Sequence, residues 1–141
     1  MRTLFLILIS CFLITSFIGN PPMAEKYELI LEAKGCHYQI SVNDKLLAEG
    51  KSYQKVFKTL GIDENLTESS EQKIDVKMIR ISREMTLKST QAFVNLQLKR
   101  VMGDSAVLVK EVKLPTFPYD DDEVQPQSIA GSIEFEIAGN Q

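Results

Sequence analysis

Apolar and polar residues alternate with a period of two along most of the chain after residue 25. In the first run, Tyr27, Leu29 and Leu31 share one face, and only Ile30 is an apolar residue on the other. Such alternation predicts a strand with one face on a core. The same pattern predicts strands at 27–34, 36–42, 45–49, 73–81, 92–99, 106–114 and 132–137.

Turn residues separate these predicted strands. Gly35 breaks the first run, and Asn43-Asp44 follows the second. Asn and Asp tolerate positive φ better than most residues, so this pair predicts a tight hairpin turn. Met102 to Ser105 predicts a second turn.

One segment changes period and predicts a short helix. Its apolar residues fall at i, i+3, i+4 and i+7, the spacing of one helix face: Tyr53, Val56, Phe57 and Leu60. Ser52 is placed to cap its start and Gly61 its end. The polar stretch 62–72 that follows predicts a surface loop.

The pattern as a whole predicts an all-β, antiparallel β-sandwich or partly open barrel with one short helix. Clean alternation excludes a parallel sheet, whose strands are buried on both faces and have continuous apolar runs. We expect residues 25–141 to form a single domain of this kind, because 117 residues are too few for two domains.

Three short segments resemble bacterial jelly-roll domains of the galactose-binding type. They are Val42-Asn43-Asp44, Leu66-Thr67 and the stretch 72–76. That family has a Gly where this chain has Asp44, and a Gly-x-Asn where it has Ser70-Glu71-Gln72. The resemblance therefore implies a jelly-roll-like sandwich but no binding residue.

The N-terminus has the layout of a secretory signal. Arg2 precedes an apolar run from Leu4 to Ile18, and Asn20-Pro21-Pro22 ends it. The run is shorter than the roughly 20 residues of a membrane-spanning helix. We expect residues 1–24 to be a signal peptide, cleaved between about 16 and 24, and the protein to be periplasmic or secreted. A retained membrane anchor is one alternative. Another is a lipoprotein acylated on Cys11, since Leu8-Ile9-Ser10-Cys11 resembles a lipobox.

Net charge restricts the class of partner that we expect, and cysteine content restricts the cellular compartment. Without residues 1–24, the chain has 15 Lys and Arg against 19 Asp and Glu, a net charge of −4. No basic cluster is present, which argues against nucleic acid. Cys36 is then the one cysteine, so no disulfide closes within the chain. An exported domain of this size without disulfides is more typical of a bacterial envelope than of an animal extracellular module.

Few residues of the chain are of the types that form catalytic or metal-binding sites. His37 is the one histidine, and its neighbour Cys36 projects to the opposite face of the same strand. One His and one Cys are too few for a zinc site. We expect no enzyme activity, no metal and no cofactor.

An acidic, proline-stiffened loop is the most distinctive local feature. It places two aromatic residues beside four consecutive acids: Phe117, Tyr119, Asp120, Asp121, Asp122 and Glu123. Consecutive carboxylates diverge, which disfavours a calcium loop. The alternatives are a solvated connection and a recognition loop for a basic partner.

The hypothesis that follows is a small exported, non-catalytic interaction protein of the bacterial cell envelope, with a protein partner that is basic. It resembles the periplasmic immunity proteins, which inhibit a toxin or hydrolase. One alternative is a carbohydrate or cell-wall binding module, although the chain has no Trp. Another is a lipid-anchored structural envelope protein, which would contact the membrane through Cys11.

Overall fold

The computed structural model describes residues 25–81, 92–115 and 126–137. Within them the chain forms eight strands and a single turn of 3-10 helix, Asp63–Asn65. The strands are β1 Lys26–Lys34, β2 Cys36–Val42, β3 Lys45–Ser52, β4 Val56–Gly61, β5 Glu71–Arg80, β6 Phe93–Met102, β7 Ser105–Leu114 and β8 Ser128–Glu136.

The strands pair into two four-stranded sheets, in the orders β4-β1-β6-β7 and β3-β2-β5-β8. Every pairing is antiparallel. The predicted all-β antiparallel class is therefore confirmed.

The predicted apolar rows are the buried ones. Alternate residues of β1, β2, β5 and β6 are buried, and those between them are half-buried or exposed. One apolar cluster draws residues from both sheets, among them Leu29, Leu31, Leu96, Ile40 and Ile74. Burial of side chains of this size stabilises each by about 1.5–3 kcal/mol, so the cluster holds the two sheets together.

The turn predicted at Asn43-Asp44 is confirmed. Both residues have positive φ, 50° and 67°, and they join β2 to β3. Two left-handed residues in succession match the right-handed twist of the flanking strands. The second predicted turn, at Gly103, also has positive φ and joins β6 to β7.

The predicted short helix at 53–60 is wrong. Val56 begins the strand β4, which pairs with β1 in the register Val56 to Ala33 and Leu60 to Leu29. Val56 and Leu60 therefore lie on one face of a strand. A separation of four residues places two side chains on one face both in a strand, with its period of two, and in a helix. β-branched and aromatic residues at 56, 57 and 59 favour the strand, and pairing with β1 decides the outcome.

The segment 62–72 is only partly the surface loop that its polarity predicts. Ile62 is fully buried, and its N–H donates to the Tyr27 carbonyl. Asp63 Oδ1 accepts a hydrogen bond of 3.1 Å from the Tyr27 N–H. Gln72, at the far end of the segment, is also buried. The segment is thus fastened to the core at both ends.

The segment predicted as a signal peptide, residues 1–24, lies outside the described residues. The described residues include no helix with the length and apolar character needed to cross a membrane. Export and the single-domain organisation of 25–141 stay predictions.

Tyr38 covers Gly50 on the neighbouring strand. The two residues are cross-strand partners in β2 and β3. A Cβ atom added at Gly50 would lie 2.5 Å from the Tyr38 hydroxyl oxygen. The buried ring therefore occupies the volume that any side chain at position 50 would need.

The first prediction concerns this contact. Gly50→Ala should lower the free energy of unfolding by about 1–3 kcal/mol, because the added methyl forces the Tyr38 ring out of place. Urea unfolding followed by circular dichroism measures the loss. Gly61→Ala is the matched control: it lies in β4 with no atom within 4 Å of the added Cβ, and we expect no loss, or a gain of up to about 1 kcal/mol. Equal losses in the two variants would contradict the contact.

Candidate functional site

The predicted partner-binding residues lie in a part of the chain that the structure does not describe. This holds for Phe117, Tyr119, Asp120, Asp121, Asp122 and Glu123, and also for Cys11. The recognition loop and the lipidation site therefore stay predictions.

Cys36 and His37 lie on opposite faces of β2, as their adjacency predicts. Cys36 is buried, and its Sγ lies 3.6 Å from the Phe93 carbonyl oxygen. Burial raises the pKa of the Cys36 thiol to about 11, which keeps it protonated near neutral pH. His37 is half-buried on the outer face between Lys51 and Ile79. A protonated thiol directed away from the histidine forms no nucleophile–base pair.

The described residues contain no group of three or more His, Cys, Asp or Glu side chains arranged to hold a metal ion.

β7 is an edge strand of one sheet and β8 is an edge strand of the other. The two sheets come close together at these two strands. A Cβ atom added at Gly131 of β8 would lie 2.8 Å from Val112 Cγ2 of β7. Glycine at this position permits the close approach. Among the described strands, nothing pairs with the outer edge of either strand.

A β-bulge at Val109 sets the side-chain directions in β7. Lys110 pairs with Leu98, whereas Leu108 pairs with Lys99, so Val109 is the extra residue. Because cross-strand partners share a face, Lys110 lies in the same inward row as the buried Leu98. Its Nζ reaches the other sheet and donates a hydrogen bond to the Glu134 carbonyl of β8.

The outer edge of β8 has a regular set of backbone groups. Arg80 N–H donates to the Gln127 carbonyl, and Ile137 N–H donates to the Ser70 carbonyl. Odd-numbered residues of this strand therefore bond to β5. In an antiparallel ladder the alternate residues direct their N–H and C=O groups to the other side. The even-numbered residues of β8, 128 to 136, thus present those groups at the outer edge, and the Lys110 contact with Glu134 agrees with this.

A cleft runs between the β7 and β8 edges. Its larger part has a volume of about 630 Å³ and a smaller part about 390 Å³, and Lys110 and Glu134 line both. Gln72 and Phe135 lie at one end, and Val109 forms part of the β7 wall. We call this region the edge cleft.

Three carboxylates surround the larger part of the edge cleft: Glu71, Glu134 and Glu136. Glu71 and Glu136 are direct cross-strand partners, an arrangement of like charges that is destabilising. Two ammonium groups lie at the same rim, those of Lys73, the cross-strand partner of Glu134, and of Lys110. Lys73 Nζ lies 3.3 Å from Asp75 Oδ1, and Lys110 Nζ binds a backbone carbonyl. The rim therefore has a surplus of negative charge.

The β6–β7 hairpin presents apolar side chains to solvent. Met102, Val107, Leu108 and Val109 are all exposed. Val107 is opposite Arg100 and Leu108 is opposite Lys99, so Val107 lies on the inner face of the hairpin and Leu108 on the outer face, each beside a basic residue. We call these four residues the hairpin patch. Exposed apolar side chains on both faces of one hairpin would be covered together by a partner that contacts both faces.

Two aromatic rings lie on the opposite side of the fold, between and along the edge strands β3 and β4. Tyr53 is 63 % exposed and Phe57 is 67 % exposed. Lys51 Nζ lies 5.7 Å from the centre of the Tyr53 ring. Phe57 is on the outer face of β4, opposite Glu32. Exposed rings beside polar groups are the arrangement that carbohydrate-binding surfaces use.

A buried hydrogen-bond network supports the end of the edge cleft. Gln72 Oε1 accepts from Asn43 Nδ2 at 2.6 Å and from the Thr67 N–H at 3.0 Å. Its Nε2 donates to the Thr67 carbonyl at 3.2 Å and to the Ser69 carbonyl. Asn43 also bonds to Lys73, donating from its own N–H and accepting on Oδ1. This network fixes the β2–β3 turn against β5 and the segment 62–70.

Sequence reasoning missed the edge cleft and the Gln72 network. In the sequence, Lys110 is a charged residue within an apolar run and Gln72 is one of several polar residues in a polar run. Their roles depend on which strands become neighbours in the fold. The one sequence signal was Lys110 itself, a charge in the inward row of the strand 106–114.

Comparison with known proteins gives no relative from which a function could be transferred: no protein family, no curated protein and no solved structure matches the chain.

The second prediction tests the network. Gln72→Met keeps the length of the side chain but leaves the Thr67 N–H and carbonyl and the Asn43 amide without their buried partner. We expect a loss of about 2–3 kcal/mol in the free energy of unfolding. Gln97→Met is the control, since the Gln97 amide makes a single exposed contact of 3.4 Å with Glu111 and should cost within about 0.5 kcal/mol. A loss at Gln72 no larger than that at Gln97 would show that the network contributes nothing.

Proposed function

We propose that this protein is a small, exported, non-catalytic binding protein that recognises a protein partner in the bacterial cell envelope. The observation that carries the proposal is the hairpin patch: Met102, Val107, Leu108 and Val109 are exposed on the two faces of the β6–β7 hairpin. Apolar side chains contribute most to binding when a partner removes them from water. Such a surface has a lower free energy when a protein partner covers it than when water contacts it.

The partner class is proposed from charge. The chain has a net charge of −3, and the edge cleft next to β7 has a surplus of carboxylates. Both features favour a basic protein through long-range attraction and local complementarity at the cleft, and Lys99 and Arg100 beside the hairpin patch suit acidic groups of the same partner. An immunity-type role, in which the protein inhibits a toxin or hydrolase, is the specific form that we propose.

The sandwich arrangement is part of the same proposal. The apolar cluster shared by both sheets supports face-to-face packing, with the hairpin patch outside the core. The jelly-roll connectivity stays a prediction. Export likewise rests on the signal-like segment 1–24.

The acidic loop Asp120–Glu123, with Phe117 and Tyr119, is proposed as a second contact for the same partner. In the sequence it connects β7 to β8, the two strands that form the edge cleft. Because the loop joins the two strands that form the edge cleft, one partner could contact both the loop and the cleft. The charge of the loop has the same sign as that of the cleft rim.

A carbohydrate or cell-wall binding module is the second candidate function. The exposed rings of Tyr53 and Phe57 favour it, because a sugar ring stacks on an exposed aromatic face. The third alternative, a lipid-anchored structural protein, depends on acylation of Cys11. The intact mass of the protein extracted from membranes would reveal the added acyl chains.

The third prediction tests the hairpin patch. Leu108→Glu should weaken capture of an envelope partner by about tenfold or more, because a charge replaces a buried apolar contact. Affinity-tagged protein, chemical cross-linking in envelope extract and mass spectrometry of the captured protein measure the effect. The partner must be the same protein in repeated captures.

Leu46→Glu is the matched control for that experiment. Leu46 is 56 % exposed and Leu108 is 49 % exposed, but Leu46 is in β3, away from the hairpin patch. Equal capture by wild type and Leu108→Glu would remove the patch from the proposal. Reversal of the charges at Asp120–Glu123 in a separate variant tests the loop in the same way.

The fourth prediction separates the two functions. If the protein binds cell-wall glycan, Tyr53→Ala and Phe57→Ala should each reduce retention on a peptidoglycan resin by about fivefold or more, since each removes a stacking contact. Leu108→Glu should leave that retention unchanged. If the protein is a protein-binding module, wild type and both aromatic variants should elute together without retention.

A further inference from the structure

We infer that the outer edge of β8 binds an extended segment of a basic protein by antiparallel strand addition, within the edge cleft. This inference rests on the proposed function and identifies how part of the partner is recognised. Its occupant is a peptide segment with basic side chains at alternate positions.

The backbone of β8 supplies the first argument. Its even-numbered residues direct N–H and C=O groups away from β5, and no described strand pairs with them. An extended segment that adds to a sheet edge obtains a row of main-chain hydrogen bonds. At Glu134 a side-chain ammonium, from Lys110, already takes the place that a partner N–H would occupy.

Charge supplies the second argument, and it selects the side chains. Residues opposite Ser132, Glu134 and Glu136 in an added strand would share their outer face, because cross-strand partners lie on one face. Glu71 lies on that face beside Glu136. Lys or Arg at those positions would relieve the repulsion between the two carboxylates.

The cleft supplies the third argument, and it selects the intervening residues. With a period of two, they would point inward, toward the space below β7. Val109 and Phe135 line that space. Small apolar residues therefore fit these positions, and the recognised pattern is basic-apolar-basic.

Lys110 has a defined part in this arrangement. It is an inward-pointing charge next to an unpaired edge, which is a device that blocks unwanted strand pairing. A basic segment would displace the ammonium from Glu134 and supply its own N–H. The Lys110 ammonium therefore competes with the segment for the Glu134 carbonyl. A segment binds only if its own contacts outweigh the loss of that hydrogen bond.

The experiment uses a fluorescently labelled, acetylated probe peptide of sequence Lys-Val-Lys-Thr-Lys-Val-Lys, with binding to the full-length protein measured by anisotropy at low salt. We expect saturable binding that weakens with added salt. An equivalent Glu-Val-Glu-Thr-Glu-Val-Glu peptide should not bind. Equal binding of the two peptides would overturn the basic class of the occupant.

Backbone methylation separates strand addition from simple charge attraction. In the proposed pairing the N–H groups of the lysines face β8, and those of Val and Thr face away. N-methylation at the lysines should abolish binding, whereas N-methylation at Val and Thr should leave it nearly unchanged. Equal affinities of the two methylated peptides would overturn strand addition.

Protein variants locate the site. Glu134→Lys combined with Glu136→Lys should weaken binding of the probe by about tenfold, because two cross-strand charge pairs become repulsive. Glu49→Lys, on the opposite edge strand of the same sheet, is the charge-reversal control and should have little effect. Lys110→Met should strengthen binding severalfold, since it frees the Glu134 carbonyl. A peptide affinity that changes neither in the Glu134/Glu136 variant nor in Lys110→Met would overturn the location.

Two further outcomes keep this inference separate from the proposed function. If wild-type protein dimerises and the dimer excludes the probe, the edge belongs to a second copy of the chain and the inference is wrong. If the probe fails to bind while Leu108→Glu still loses the envelope partner, strand addition is wrong and the binding function stands.

Discussion

Burial of one apolar face from each sheet in a common cluster is the constraint on which the rest of the structure depends. Because side chains alternate along a strand, burial of Leu29 and Leu31 fixes which residues of β1 face solvent. The same rule holds for each neighbour in register, from Leu96 on β6 to Ile40 on β2. Neither four-stranded sheet closes on itself among the described strands, so each ends in two edge strands. The side chains that protect those edges shape the surface.

Edges carry unpaired backbone groups, and inward lysines are one way to protect them. Lys58 on β4 pairs with the buried Leu31, and Lys110 on β7 pairs with the buried Leu98. Both outer strands of this sheet therefore carry a lysine in the row that elsewhere holds the core. Lys110 differs because the approach of β7 to β8 at Gly131 lets it reach the backbone of the other sheet.

The sequence predicted what local patterns determine and missed what depends on neighbours. Strand faces followed from alternation, and the hairpin turn followed from Asn43 and Asp44. The helix at 53–60 failed because Val56 and Leu60 satisfy both periods, and pairing with β1 decided between them. Gln72 could not be identified as buried, since its partners at 43, 67 and 69 come together only when the turn and the segment 62–70 meet. The acidic loop lies outside the described residues, so its part in binding rests on its residue types alone.

The bulge at Val109 decides which face of β7 each neighbouring side chain occupies. Without the extra residue, continued alternation from Lys110 would place Leu108 in the inward row and Val107 on the outer face. With it, Leu108 lies on the outer face opposite Lys99, while Lys110 keeps its inward direction. One inserted residue therefore replaces Val107 by Leu108 on the outer face and keeps a cation facing the β8 edge. The bulge thus puts the larger of the two apolar side chains on the outer face beside Lys99, on the opposite face from the cleft that Lys110 enters.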